Sequence, residues 1–116
     1  WNLTLGTECA VGDRVILYAL GPLVVGERAT ISQGAHLCAG THDIRQAHRP
    51  LVKAPIAVGA DAWICADVFV GPGVRIGPGA IAGARAVVMK DVDEHWIVAG
   101  NPARPIRLHP IETRKL

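Results

Sequence analysis

Aliphatic residues recur every six positions along most of this 116-residue chain. The spacing is unbroken from residue 58 to 88, and it also runs from 5 to 17 and from 25 to 37. The twelve positions are Leu5, Val11, Leu17, Val25, Ile31, Leu37, Val58, Ile64, Val70, Ile76, Ala82 and Val88. Eleven of them are Leu, Ile or Val, although these types make up only 32 of the 116 residues. A six-residue period fits neither an amphipathic helix nor a simple alternating strand, so it indicates a larger repeating unit.

A second ladder of mostly small side chains lies four residues after each aliphatic position. Its members are Cys9, Val15, Gly21, Ala29, Ala35, Thr41, Ala62, Val68, Val74, Ala80, Ala86 and Val92. Only 4% of the chain is aromatic, so the core must consist of small aliphatic side chains. An antiparallel sandwich with Gly and Pro turns would instead show alternation over unevenly spaced strands, and the regular steps disfavour it.

This pattern resembles the hexapeptide repeat of the left-handed parallel β-helix, in which three hexapeptides form one triangular coil of 18 residues. We therefore predict an all-β fold of about four coils, over residues 5–20, 25–42, 58–75 and 76–93. The stacked columns would be Leu5, Val25, Val58 and Ile76; Val11, Ile31, Ile64 and Ala82; and Leu17, Leu37, Val70 and Val88. Glycine directly after the aliphatic residue, as at Gly59 and Gly77, is expected to serve the tight corner turns.

One long interruption separates Leu37 from Val58, where a single hexapeptide would suffice. About 15 residues, roughly 43–57, are expected to leave the helix as an excursion loop, and such loops are usually functional. His42 lies where this excursion begins, which makes it a candidate functional residue, whereas His48 reads better as an ordinary loop side chain.

The two ends of the predicted helix differ. Trp96 and Ile97 can cover the last coil as a short C-terminal cap, and Pro102 and Pro105 are expected to end regular pairing. At the other end only Trp1 and Leu3 are available, which favours a missing amino-terminal piece or a partner chain. We expect one domain over residues 1–108 and a tail at 109–116.

Several segments together resemble the acetyl-CoA-dependent hexapeptide acetyltransferases. They are residues 37–43 (LCAGTHD), 56–59 (IAVG), 62–64 (AWI), 88–92 (VMKDV) and 97–104 (IVAGNPAR). Within that family the chain is most similar to the colanic acid biosynthesis acetyltransferase type, related to maltose and galactoside O-acetyltransferases. The resemblance implies transfer of acetyl from acetyl-CoA to a hydroxyl of a sugar or polysaccharide precursor, by a homotrimer, in the cytoplasm.

The resemblance also implies roles for individual residues. His42 matches the family's catalytic base, and an imidazole is suited to take a proton from an alcohol near neutral pH. The backbone N–H of Ala66 matches the oxyanion donor. The coenzyme-binding positions fall on Ala84, Met89, Lys90, Arg104 and Arg107. The three cations suit the phosphates of coenzyme A, although for Lys90 and Arg107 ordinary solvated charge is the alternative.

Some positions depart from the family pattern. Met89 stands where Thr is usual, so any contact there must come from the backbone. The Asn and Asp that grip the sugar in the maltose and galactoside enzymes fall on Gly12 and Leu20. Acceptor recognition is therefore not inherited, and an amine acceptor stays open beside a hydroxyl.

Two other functions compete with acetyl transfer. A zinc enzyme of carbonic-anhydrase type would use His36, His42 and His48, but one hexapeptide step moves to another face, so His36 and His42 would converge only across a subunit interface. For a non-catalytic β-helix that serves as an assembly module, the exposed end of the helix is the only supporting feature in the sequence. We expect no metal.

Charge, hydropathy and cysteine placement further restrict the functional classes to which the chain can belong. A net charge of +2 gives no indication of a nucleic-acid partner. The densest apolar stretch, residues 15–25, is too short to span a membrane. Cys9, Cys38 and Cys65 fall in different hexapeptides of their coils, so neither a disulfide nor a shared zinc site is expected, and free thiols suit a reducing compartment. An acetyl-cysteine route through Cys65 is a minor alternative.

Overall fold

The structure is a computed structural model that describes residues 2–109. The proposed tail at 109–116 lies outside the described residues except for His109. Within the described range the strands are β1 (Leu3–Leu5), β2 (Ala10–Val11), β3 (Ile16–Tyr18), β4 (Leu23–Val25), β5 (Thr30–Ile31), β6 (His36–Cys38), β7 (Gly40–His42), β8 (Leu51–Lys53), β9 (Ile56–Val58), β10 (Trp63–Ile64), β11 (Phe69–Val70), β12 (Arg75–Ile76), β13 (Ile81–Ala82), β14 (Val87–Val88), β15 (Trp96–Ala99) and β16 (Arg104–Leu108). This part of the chain contains no helix long and apolar enough to cross a membrane.

The strands form the three faces of a prism. Face 1 is the sheet β1-β4-β9-β12, face 2 is β2-β5-β10-β13-β15-β16, and face 3 is β3-β6-β11-β14. All neighbours within these sheets are parallel except β15 and β16. The registers pair every predicted column member with its predicted neighbour, as Ile31 with Ile64 and Ile64 with Ala82. The predicted β-helix and its phase are confirmed.

The columns form the core from the second coil onward. Ile31, Leu37, Ile64 and Val70 have no exposed surface, and no polar or charged residue in the described range is buried. In the first coil Leu5 is 47% exposed and Val11 42% exposed. These side chains lie at an open end of the prism, where no further described coil covers them.

The glycines after the aliphatic residues have a different role from the one expected. A Cβ on Gly59 would lie 2.5 Å from the backbone nitrogen of Pro78, and one on Gly26 would lie 2.6 Å from that of Ala60. These positions are glycine because the next coil approaches too closely for a side chain. The left-handed turn conformation falls two residues later, as at Asp61 with a φ of 62°.

The excursion has different bounds from those predicted. It begins at Gly40, forms a hairpin in which β7 pairs antiparallel with β8, and returns to face 1 at Ile56. Ala57 and Val58 pair with Arg75 and Ile76 and belong to the prism, not to the excursion. Ile56 is 1% exposed because it pairs with Leu23 inside the helix, while Thr41, predicted in the small-residue ladder, lies on the exposed hairpin.

The carboxyl end also differs from the prediction. The step after Val88 shortens from six residues to four, so Val92 pairs with Ile76 and starts a partial fifth coil. β15 extends face 2 in register with β13. Pro105 does not end pairing, since it lies within β16 opposite Val98, at a register shift. Proline is tolerated there because β16 is the edge strand.

Substitution in the column should cost far more stability than substitution outside it. Ile64→Ala should lower the free energy of unfolding by about 2–5 kcal/mol, because it opens a cavity between Ile31 and Ala82. Arg75→Ala, on an exposed side chain of face 1, should cost less than about 0.5 kcal/mol. Denaturant unfolding of both variants checks this, and equal losses would show that the columns are wrongly assigned.

Candidate active site

The hairpin carries His42 out of the prism and sets it beside a small cavity. His42 is the last residue of β7, where it pairs with Leu51 of β8. Its exposed side chain borders a cavity of about 190 Å³. The remaining lining comes from Tyr18, Leu20, Cys38, Gly40, Thr41 and Leu51. The imidazole is therefore open to a substrate and has mainly neutral neighbours.

One hydrogen bond fixes which nitrogen of His42 can act as a base. Nδ1 lies 2.8 Å from the backbone carbonyl oxygen of Arg49. A carbonyl oxygen only accepts, so Nδ1 must carry the hydrogen and donate it. In the neutral imidazole the lone pair then lies on Nε2, which is the arrangement that a general base needs.

The loop that supplies this carbonyl is organised by Asp43. Its carboxylate accepts from the Arg45 side chain, with Nε at 3.0 Å and Nη2 at 3.1 Å, and from the Arg45 backbone N–H at 3.0 Å. These hydrogen bonds from Arg45 hold the pKa of the Asp43 carboxyl below its usual range. The carboxylate therefore stays ionised at neutral pH.

Five of the predicted site residues lie along two different edges of the prism, while Arg104 and Arg107 belong to β16. The hairpin edge, between faces 3 and 1, comprises residues 19–22, 39–55, 71–74 and 89–91 and holds His42, Met89 and Lys90. The Ala66 edge, between faces 2 and 3, comprises residues 12–15, 32–35, 65–68 and 83–86 and holds Ala66 and Ala84. Within one chain, His42 and Ala66 therefore lie on different edges and do not meet.

The backbone N–H of Ala66 is available to an incoming ligand. In the described chain the neighbouring groups are used, since Cys65 N–H donates to Ala82 and Asp67 N–H to Gln33, while Ala66 N–H has no protein acceptor. The corresponding turn positions 72 and 78 are proline, so the fold never needs a donor there. The backbone N–H of Ala60 also has no protein acceptor, so an unpaired N–H does not by itself distinguish Ala66 as the oxyanion donor.

A larger cavity of about 310 Å³ lies at the carboxyl-terminal end of the hairpin edge, between residues 88–92 and residues 102–105. Met89, Lys90 and Arg104 all line it, together with Pro102 and Pro105. Arg107 is exposed on β16 opposite Ile97 and does not line this cavity. Two predicted cations thus share one groove, and the third lies outside it.

Two of the three histidines of the zinc alternative have other partners. His36 packs edge-on against Phe69, with ring centroids 5.3 Å apart, and Nδ1 of His42 is committed to Arg49. Within residues 2–109 no three His, Cys, Asp or Glu side chains are grouped as metal ligands.

All three cysteines are free thiols. Burial raises the pKa of the Cys65 thiol, which opposes the thiolate that an acetyl-cysteine route would need. Cys38, not Cys65, borders the cavity beside His42, and its thiol donates to the carbonyl of Gly40 at 3.3 Å.

Sequence reasoning missed Arg49, Asp43 and the cavity residues Tyr18, Leu51 and Cys38. Arg49 contributes a backbone carbonyl, which no side-chain motif could reveal. Leu20 departs from the sugar-binding pattern of the maltose and galactoside enzymes, yet it borders the same cavity as His42.

Comparison with known proteins agrees with this architecture, although no family model matches the chain. The colanic acid biosynthesis acetyltransferase WcaF of Escherichia coli strain K12 is 45% identical over 107 residues, covering 92% of this chain and 59% of that protein. The chain thus spans about three fifths of the length of this curated relative.

Solved structures share the fold. A maltose O-acetyltransferase from Clostridium difficile 630 has a TM-score of 0.89 at 24% identity, covering 94% of this chain and 60% of that one. A hexapeptide-repeat acetyltransferase from Vibrio cholerae, in complex with acetyl coenzyme A, has a TM-score of 0.86 at 24% identity, covering 92% and 60%. These likenesses show the left-handed parallel β-helix fold, and the 45% identity to WcaF over 92% of this chain shows that the chain belongs to the hexapeptide-repeat acetyltransferase family.

Proposed function

We propose that this chain forms the catalytic domain of an acetyltransferase that moves acetyl from acetyl-CoA to a hydroxyl of a sugar or polysaccharide precursor. The observation that carries the proposal is His42 in an open cavity, with Nδ1 donating to Arg49 and Nε2 left free. The kinship to WcaF supports the reaction class and the acceptor class.

In this reaction Nε2 of His42 takes the proton of the acceptor hydroxyl as its oxygen attacks the thioester carbonyl carbon. A tetrahedral intermediate forms, and its negative oxygen is stabilised by the free N–H of Ala66. The carbon–sulfur bond then breaks, and the imidazolium returns the proton to the departing thiolate of coenzyme A. Direct transfer needs no nucleophile from the protein.

The active enzyme is proposed to be a homotrimer with sites between subunits. His42 and Ala66 lie on different edges of one prism, so a site that uses both requires a second copy. Cyclic association brings the hairpin edge of one copy to the Ala66 edge of the next, and three such contacts close the ring.

Acetyl-CoA is proposed to bind along the hairpin edge. The groove with Lys90 and Arg104 would hold the coenzyme phosphates, with Met89 beside them. His42 lies about two coil steps higher, roughly 10 Å along the edge at strand spacing. An extended pantetheine arm can bridge that separation. Ala84, on the Ala66 edge, would contact the coenzyme from the neighbouring copy, and Arg107 remains a weaker candidate outside the groove.

The acceptor is proposed to enter the cavity beside His42. Tyr18, Leu20 and Leu51 give it a largely apolar wall. Since Leu20 replaces the acidic sugar-binding residue of the maltose and galactoside enzymes, the acceptor must be held by different contacts. We place the reaction in the cytoplasm, where acetyl-CoA is made and where free cysteines persist.

Loss of the base should abolish most turnover without affecting the fold. His42→Ala should lower kcat by roughly 10²–10⁴, and the melting temperature should be unchanged because the side chain is exposed. His48→Ala, an exposed histidine of the same loop, is the matched control. Thiol release from acetyl-CoA with a panel of sugars and oligosaccharides measures both. Retention of more than a third of the wild-type turnover would remove His42 from the mechanism.

Shared sites should allow two inactive variants to complement each other. His42→Ala removes the base, and Ala66→Pro removes the oxyanion donor at a turn position where the repeat itself has proline at 72 and 78. In a mixed trimer about one site of the three should combine an intact His42 with an intact Ala66.

Co-expression of the two chains with different affinity tags isolates the mixed assemblies. Ala60→Pro, at the same repeat position on another edge, should stay active. Mixed assemblies as inactive as either parent would contradict a site between subunits.

Removal of a positive charge from the groove should weaken the binding only of acetyl donors that carry phosphate groups. Lys90→Ala and Arg104→Ala should each weaken acetyl-CoA binding by about 1.5–3 kcal/mol, the range for hydrogen bonds to charged groups. Binding of a phosphate-free pantetheine thioester should change far less, and Arg75→Ala should affect neither. Calorimetry with both donors provides the comparison, and equal losses for the two would refute the phosphate assignment.

A further inference from the structure

The loop that joins the two hairpin strands is held almost entirely by polar contacts. Its residues 43–50 contain one large aliphatic side chain, Ile44, and that side chain is 80% exposed. Hydrophobic burial therefore cannot fix the position of the loop. Yet the carbonyl of Arg49, which sets the tautomer of His42, is part of it.

A short chain of backbone hydrogen bonds leads from Asp43 to that carbonyl. The carbonyl of Asp43 accepts from Gln46 N–H at 3.4 Å, and the carbonyl of Gln46 accepts from Arg49 N–H at 3.0 Å. Asp43 N–H donates to Pro50 at 2.9 Å and closes the loop. Arg49 itself has a φ of 46°, a left-handed conformation that costs free energy in a non-glycine residue.

The carboxylate of Asp43 stabilises the first turn of the loop, where this series of hydrogen bonds begins. Its Oδ1 accepts from the backbone N–H of Arg45, and its Oδ2 also accepts from the Gln46 side chain at 3.4 Å. The Asp43 side chain is only 15% exposed, whereas that of Arg45 is 87% exposed. The side-chain ion pair is thus solvated and weak, and the bond from Oδ1 to the Arg45 backbone is the one that shapes the turn.

We infer that Asp43 is a positioning residue, whose side-chain bond to the Arg45 backbone shapes the loop so that the Arg49 carbonyl holds the hydrogen of His42 on Nδ1. This inference rests on the proposed function, because it supplies the group that orients the base. Without the turn, the carbonyl moves and the imidazole hydrogen distributes between the two nitrogens. A His42 with its hydrogen on Nε2 cannot accept a proton there.

Three variants distinguish the effect of the bond from Asp43 to the Arg45 backbone from the effect of the Asp43–Arg45 ion pair. Asp43→Ala removes the turn bond and should lower kcat about 10- to 100-fold, as expected for a displaced catalytic group, with the KM for acetyl-CoA little changed. Asp43→Asn keeps an oxygen that can accept from Arg45 N–H, so it should retain activity within about threefold of wild type. Arg45→Ala should behave like Asp43→Asn. Asp61→Asn, which removes the carboxylate charge of a similar Asp–Arg pair with Arg28 on a remote edge, is the control.

The second readout is the tautomer of His42, followed by nitrogen NMR of the histidine-labelled protein without substrate at a pH where the imidazole is neutral. Wild type and Asp43→Asn should show hydrogen on Nδ1, and Asp43→Ala should show a mixture. A shifted tautomer in Asp43→Ala supports the inference even if no variant, wild type included, transfers acetyl, in which case the proposed function alone fails. An unchanged tautomer, or equal loss of kcat in Asp43→Asn and Asp43→Ala, would overturn the inference.

Discussion

Every coil of this protein lies one strand spacing from the next, and the remainder of the structure depends on that close approach. At about 4.8 Å the backbones of successive coils pair directly. At the corner between faces 1 and 2, which carries Gly26, Gly59 and Gly77, this leaves no room for a side chain. Gly59 shows the limit, since an added Cβ would lie 2.5 Å from Pro78. Inside the prism, aliphatic columns alternate with small residues such as Ala29 and Ala62, which are at most 1% exposed.

A core of this kind has no space for polar chemistry. No polar or charged residue of the described chain is buried, so functional groups must lie at the edges or where the repeat is interrupted. The hairpin is such an interruption. It leaves the prism between Ala39 and Ile56, and the coil closes behind it because Ile56 takes the inward position. The protein can therefore carry His42 on a hairpin without disturbing the columns.

The same geometry explains why the proposed site residues lie on two different edges. Turn positions repeat identically along an edge, so residues one coil apart, such as Ala66 and Ala84, share an edge. His42 and Lys90 share another. A rigid prism cannot fold one edge onto the other, so the reaction that we propose, which uses both edges, requires association between copies.

The six-residue spacing determined the fold, its phase and the columns, because each aliphatic position of a parallel β-helix must meet its counterpart one coil away. It also located the interruption and, with the family motifs, the candidates His42, Lys90 and Arg104. Spacing could not give the bounds of the hairpin, the shortened step from Val88 to Val92, or the pairing of Pro105 in β16, since these depend on which backbone groups find partners after the chain has closed. The orientation of His42 was likewise decided only by tertiary structure. It depends on the carbonyl of Arg49, and every residue has a carbonyl, so only the path of the loop determines which one meets the imidazole.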